Sequence, residues 1–163
     1  MKMTCDMANK LVRSLNEERA SLLRKEMASK EYSFMDGEEP IVPEYDFGAT
    51  QSEFQNIEHQ IGVLKHAINQ FNITTAVYQD MTIDEVLVRL PMLNQRKSTL
   101  IQMKDKLPEQ KQIGYNGKSS IITKTNYDAT EVEVEYNRID KEIMAMQNAL
   151  NVANMTIEFE VNI

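Results

Sequence analysis

The chain of 163 residues has one cysteine, four prolines, five glycines and no tryptophan. A lone cysteine, Cys5, excludes an intrachain disulfide framework. So few chain breakers disfavour turn-dense sandwiches and barrels and favour long helices. Aromatics are only 7% of residues, so a core must be built from Leu, Ile, Val and Met. The 11 methionines suit adaptable packing. No apolar run approaches the ~20 residues needed to span a bilayer. The start, Met1-Lys2-Met3-Thr4-Cys5-Asp6, lacks the apolar stretch of a secretory signal. The expectation is a cytoplasmic protein, in which Asn72-Ile73-Thr74 and Asn154-Met155-Thr156 are chance matches to the glycosylation pattern.

Positive charge is also scarce, and the net charge is -7. That argues against a general nucleic-acid binder, which needs clustered Lys and Arg for phosphate contacts. The charge is unevenly spread. Residues 32–60 carry 7 acidic groups and no basic one, while residues 61–126 carry 9 basic against 5 acidic. Residues 127–163 are acidic again, with 8 against 2. Alternating segments of opposite sign suggest pairing, within a chain or between chains.

The hydrophobic pattern predicts four main helices in a mainly α protein, a bundle of antiparallel hairpins with coiled-coil-like packing. The first spans about 4–32, capped by Thr4, with Met7, Leu11, Leu15 and Leu22 on one stripe and Ala8, Val12 and Leu23 beside it. Glu17-Glu18-Arg19 interrupts that stripe, as a partly exposed gap or a polar contact that fixes register. An acidic loop at 33–50 follows, with its turn at Asp36-Gly37-Glu38-Glu39-Pro40. The second helix, about 51–72, opens on a capping box at Thr50 to Glu53 and carries Phe54, Ile57, Ile61, Leu64, Ile68 and Phe71 at alternating spacings of 3 and 4. An extended connector is expected from Asn72 to Val77.

Thr82-Ile83-Asp84-Glu85 is a second capping box and starts the third helix, about 82–107. Val86, Leu93, Leu100 and Leu107 recur along it, and Pro91 inside it predicts a kink. The fourth helix, about 128–153, is capped by Asp128 and carries a second clean heptad from Val132 to Ala153. Minor β segments are expected near 119–126 and 155–161. The second follows from the alternation of Met155, Ile157, Phe159 and Val161 with polar residues. The whole chain, 1–163, reads as a single helical domain.

No catalytic motif emerges. Gly117-Lys118-Ser119 ends like a phosphate-binding loop, but Gln112 stands where the pattern needs glycine, and no strand-to-helix context surrounds it. His59 and His66 share a face of the second helix, ~10 Å apart along its axis, too far for one metal ion. Glu131, Glu133 and Glu135 diverge around the fourth helix and suit its N-terminal dipole better than a shared site. Cys5 has no histidine partner nearby. The candidates for a ligand or interface are Arg89, Arg96 and Lys97 on the third helix, with Asn69, Asn72 and Thr74 before it. Such a set can hold a small anion or a partner's carboxylate. The plainer alternative pairs the cations with the acidic fourth helix.

The order of segments resembles the septicolysin-like family of small bacterial helical proteins. The likeness rests on Asp36 to Pro40, on Ile68-Asn69-Gln70-Phe71-Asn72, on the Thr-led third helix with Arg89 and Arg96, on Ser119 to Thr125, and on Asn154-Met155-Thr156. It implies antiparallel helical hairpins that assemble into oligomers, and the family name implies cytolysis. The residues favour a non-enzymatic oligomeric scaffold or interaction protein that uses no cofactor or metal. Its expected partners are further copies of itself, with another protein partner open. Alternatives are a membrane-active, cytolysin-like protein, on the resemblance alone, and a small-anion binder at the Arg89 and Asn72 region.

Overall fold

Thr4 sits in extended backbone and its side chain accepts from the Met7 amide, so helix α1 starts at once and runs Cys5–Ser29. The computed structural model describes residues 1–114, 117 and 119–162. In chain order the elements are β1 (Lys2–Thr4), α1 (Cys5–Ser29), α2 (Phe47–Thr74), β2 (Ala76–Tyr78), β3 (Met81–Thr82), α3 (Ile83–Lys104), β4 (Glu109–Ile113), β5 (Ser120–Lys124), α4 (Ala129–Thr156) and β6 (Glu158–Glu160). The protein is thus mainly helical, with four helices and short antiparallel strands, as the pattern predicts. Among the described residues no helix is long and apolar enough to cross a membrane.

Boundaries differ where tertiary contacts or alternative caps decide. Helix α2 starts at Phe47 because Asp46, and not the Thr50 box, caps it by accepting from the Ala49 amide at 2.9 Å. Its C-terminal end passes through the expected connector to Thr74. Phe71 is buried and stacks on Phe159 with centroids 4.8 Å apart, which anchors the last turn against the β-branched preference of Ile73 and Thr74. Helix α3 does carry the Thr82–Glu85 capping box, runs through Pro91 and stops at Lys104, leaving Leu107 exposed. Helix α4 continues to Thr156, so Met155 lies on its last turn and the strand is confined to Glu158–Glu160. Tyr115 and Asn116, and Lys118 of the Gly117-Lys118-Ser119 triplet, lie outside the described residues.

The chain forms two compact units, Met1–Thr75 with Val152–Ile163, and Ala76–Asn151. In the first, α1 and α2 pack around Ala8, Leu15, Leu22, Phe54, Ile57 and Leu64. The buried stripe of α1 is centred on Ala8, Leu15 and Leu22, and Met7 and Leu23 stand outside it. The charged gap in that stripe is a polar contact. Arg19 bonds Glu58 of α2 at 2.7 Å, while Glu26 accepts from Gln51 and Tyr45. The order Arg19–Glu58 and Glu26–Gln51 is that of antiparallel helices. Strands β1 and β6 pair antiparallel, Met3 opposite Phe159, and Met3 and Val161 complete the core.

In the second unit, α3 and α4 share a core of Leu100, Val132, Ile139 and Ile143, flanked by Leu90, Leu93, Met103 and Tyr136. The strands β2 and β3 form a tight hairpin whose corner residues, Gln79 and Asp80, both take positive φ (45° and 64°). That is the left-handed conformation two-residue hairpins require, usually met by Asn and Gly. Strands β4 and β5 pair antiparallel, and every residue in them is exposed.

Candidate functional site

The cations of α3 face the acidic helix. Arg89 donates from Nε and Nη2 to Oε1 of Glu142 at 3.0 and 2.7 Å. Lys97 pairs with Asp140, and Lys104 reaches Glu133 at 3.3 Å. The order 89, 97, 104 against 142, 140, 133 is an antiparallel ladder. Arg138 extends it within α4, bonding Glu135 through Nε and Nη2 and Glu142 through Nη1, each at 2.8 Å. Lys97 and Lys104 also lie over the Tyr136 ring, 5.7 and 4.6 Å from its centroid.

Glu142 is the hub. Its side chain is only 13% exposed and it takes bonds from both Arg89 and Arg138. Burial pushes its carboxyl up, but the two guanidinium groups outweigh this and hold it below the ordinary carboxylate value. Glu135 is also lowered, first by the Arg138 hydrogen bonds and in part by the charge of Arg96. Lys97 is raised, chiefly by its bond to Asp140. Beside this hub a hollow of about 540 Å³ is lined by Tyr78, Gln79, Arg89, Arg138, Lys141 and Glu142.

The six predicted residues thus divide. Arg89 and Lys97 are engaged by α4, and Arg96 is exposed on the same helix. Asn69, Asn72 and Thr74 belong to the other unit, on the last turns of α2. Thr74 donates its hydroxyl to the Gln70 carbonyl at 2.7 Å.

A groove of about 770 Å³ lies in the first unit, between one flank of α2 and the C-terminal strand. His59, Gly62, Val63, His66, Ala67, Gln70, Phe71 and Thr74 supply the helical wall, and residues 157–162 the other. Spacings of 3 and 4 put these α2 residues on one flank. His59 and His66, too far apart to share a metal ion, frame small and apolar residues, Gly62, Val63 and Ala67, on that flank, a pattern present in the sequence. Among the described residues no group of three or more His, Cys, Asp or Glu is placed to hold a metal ion.

Cys5 is buried. Desolvation and the charge of Asp6 push its thiol up, against a lowering hydrogen bond from Asn9. That is the environment of an inert thiol.

No curated protein matches this sequence. Among solved structures, the fold is similar to a functionally unknown conserved protein from Corynebacterium diphtheriae, with a TM-score of 0.59 and 16% identity. The likeness covers 98% of this chain and 100% of that one, and at such identity it speaks to the fold alone. The resemblance to septicolysin-like proteins is overturned. Its motifs are short turn, helix and strand segments, and the match over most of the chain is to a different family. Residues 13–159 match the family of unknown function DUF6847, and the chain belongs to that family.

Proposed function

We propose that this protein is a non-enzymatic helical scaffold that acts through protein–protein contacts and self-associates in the cytoplasm. The observation that carries this reading is the set of large apolar side chains left on outer helix faces. On α3, Val88 and Met92 are 56% and 64% exposed, and with Met81 they line a shallow apolar hollow of about 340 Å³. On α4, Val134, Met144 and Val152 are also exposed. Such faces, rich in Met and rimmed by charge, are typical of association surfaces. The consumption of Arg89, Lys97 and Arg138 in ion pairs supports a structural role for them over a chemical one. A buried, unpaired Cys5 suits a reducing compartment.

Light scattering on the purified chain tests the reading. The expected mass is a small integer multiple of the chain mass at micromolar concentration, falling to the monomer in the variant Val88→Glu, Met92→Glu. A monomer at all concentrations refutes self-association.

A further inference from the structure

Strand β6 has one edge paired to β1 and, among the described residues, no strand on the other. Met1 and Val161 exchange both backbone bonds, N–H to carbonyl at 2.7 and 2.8 Å. The register continues Lys2 opposite Glu160, Met3 opposite Phe159 and Thr4 opposite Glu158. In an antiparallel ladder the bonded pairs alternate. Residues 159 and 161 therefore turn their backbone groups toward β1, and Glu158, Glu160 and Asn162 turn theirs the other way. Among the described residues this sheet holds β1 and β6 alone. That outer row of N–H and carbonyl groups belongs to residues that line the α2 groove.

The groove has open space on its helical wall and an apolar floor. Gly62 lies on its helical wall, and a Cβ added there meets no atom within 4 Å. Val63 and Ala67 are half-buried on the same wall and offer an apolar floor. On the strand side Glu158 and Glu160 are exposed, and neither forms an ion pair among the described residues. The strand already paired to β6 gives the register of one partner, in which Lys2 stands opposite Glu160 without an ion pair between them. It presents a lysine opposite Glu160, a buried apolar residue opposite Phe159 and a hydroxyl opposite Glu158.

We propose that the free edge of β6, with the α2 flank beside it, binds an extended peptide by strand addition, taking basic or hydroxyl residues opposite Glu158 and Glu160 and apolar residues onto Val63 and Ala67. The main-chain bonds supply affinity and the alternation supplies specificity. A second copy of β6 is a poor occupant, because antiparallel self-pairing brings glutamates against glutamates. The inference rests on the reading of the protein as an interaction module and names its partner chemistry.

The test is fluorescence polarisation with a labelled peptide Lys-Met-Lys-Met-Thr-Val and the full chain. Saturable binding is expected. Two further peptides carry N-methyl groups on alternate residues, in complementary sets. Strand addition predicts that one set abolishes binding and the other leaves it within a few-fold, since only one set of amides faces β6. Gly62→Trp fills the groove, and its circular dichroism reports folding. It is expected to fold and to lose the peptide. If it fails to fold, Glu158→Lys with Glu160→Lys is expected to weaken binding by about tenfold or more.

No binding to the wild type, or equal tolerance of both N-methylated sets, overturns the proposal. Light scattering on the same samples separates it from self-association. A wild type that oligomerises yet ignores the peptide overturns this proposal alone. A monomer that binds the peptide supports it and refutes self-association alone. An oligomer that Gly62→Trp dissolves, without peptide binding, makes a second copy the occupant and also overturns it.

Discussion

Replacing Glu142 with Gln keeps the shape of the hub and removes its charge. Glu142 takes two bonds from Arg89 and one from Arg138, and its own side chain is 13% exposed. A hydrogen bond to a charged group contributes about 1.5–3 kcal/mol when sheltered, and an exposed ion pair about 0.2–1 kcal/mol. The two guanidinium groups are 49% and 55% exposed and rehydrate when released, which pulls the cost toward the lower range. We expect Glu142→Gln to cost about 1–2 kcal/mol near neutral pH.

The pH dependence has a definite sign. The folded carboxyl titrates below its ordinary value of 4.5. Its contribution is therefore present in full above that ordinary value and is lost as pH falls through the depressed one. Urea unfolding followed by circular dichroism, for both proteins near neutral pH and at about pH 3, measures the gap. The gap is expected to shrink at the lower pH. A gap under about 0.5 kcal/mol near neutrality, or one undiminished in acid, refutes the hub as drawn.

Two other outcomes are expected. Leu64 is fully buried between α1 and α2, so Leu64→Ala is expected to cost about 3–5 kcal/mol, while Leu107→Ala at its exposed site costs under about 0.5 kcal/mol, both read from denaturant midpoints. Cys5 is expected to react with a thiol reagent at neutral pH far more slowly in the folded chain than in urea. Equal rates contradict its burial and raised pKa.

Much of this fold is legible in the residues because helix packing is a periodic problem. The heptads of α2 and α4 name their buried side chains directly, since position on a helix decides which face a residue covers. Thr4, Thr82 and Asp128 act as caps, as their hydroxyl and carboxylate chemistry requires. The pairing of α3 cations with α4 carboxylates is one of the alternatives that segment charge leaves open. Other features depend on distant contacts. Phe71 holds the end of α2 helical through Phe159, 88 positions later in the chain by residue number. Asp46 caps α2 one turn earlier, and the Thr50 hydroxyl, inside the helix, donates to the Asp46 carbonyl. The single cysteine excludes an intrachain disulfide unaided, and the sparse Pro and Gly favour a helical chain. Only the tertiary structure brings Lys2 to Glu160 and the last residues onto the α2 flank. Local pattern carries no information on which distant strand edge will be left free, and the α2 groove exists only because of that pairing.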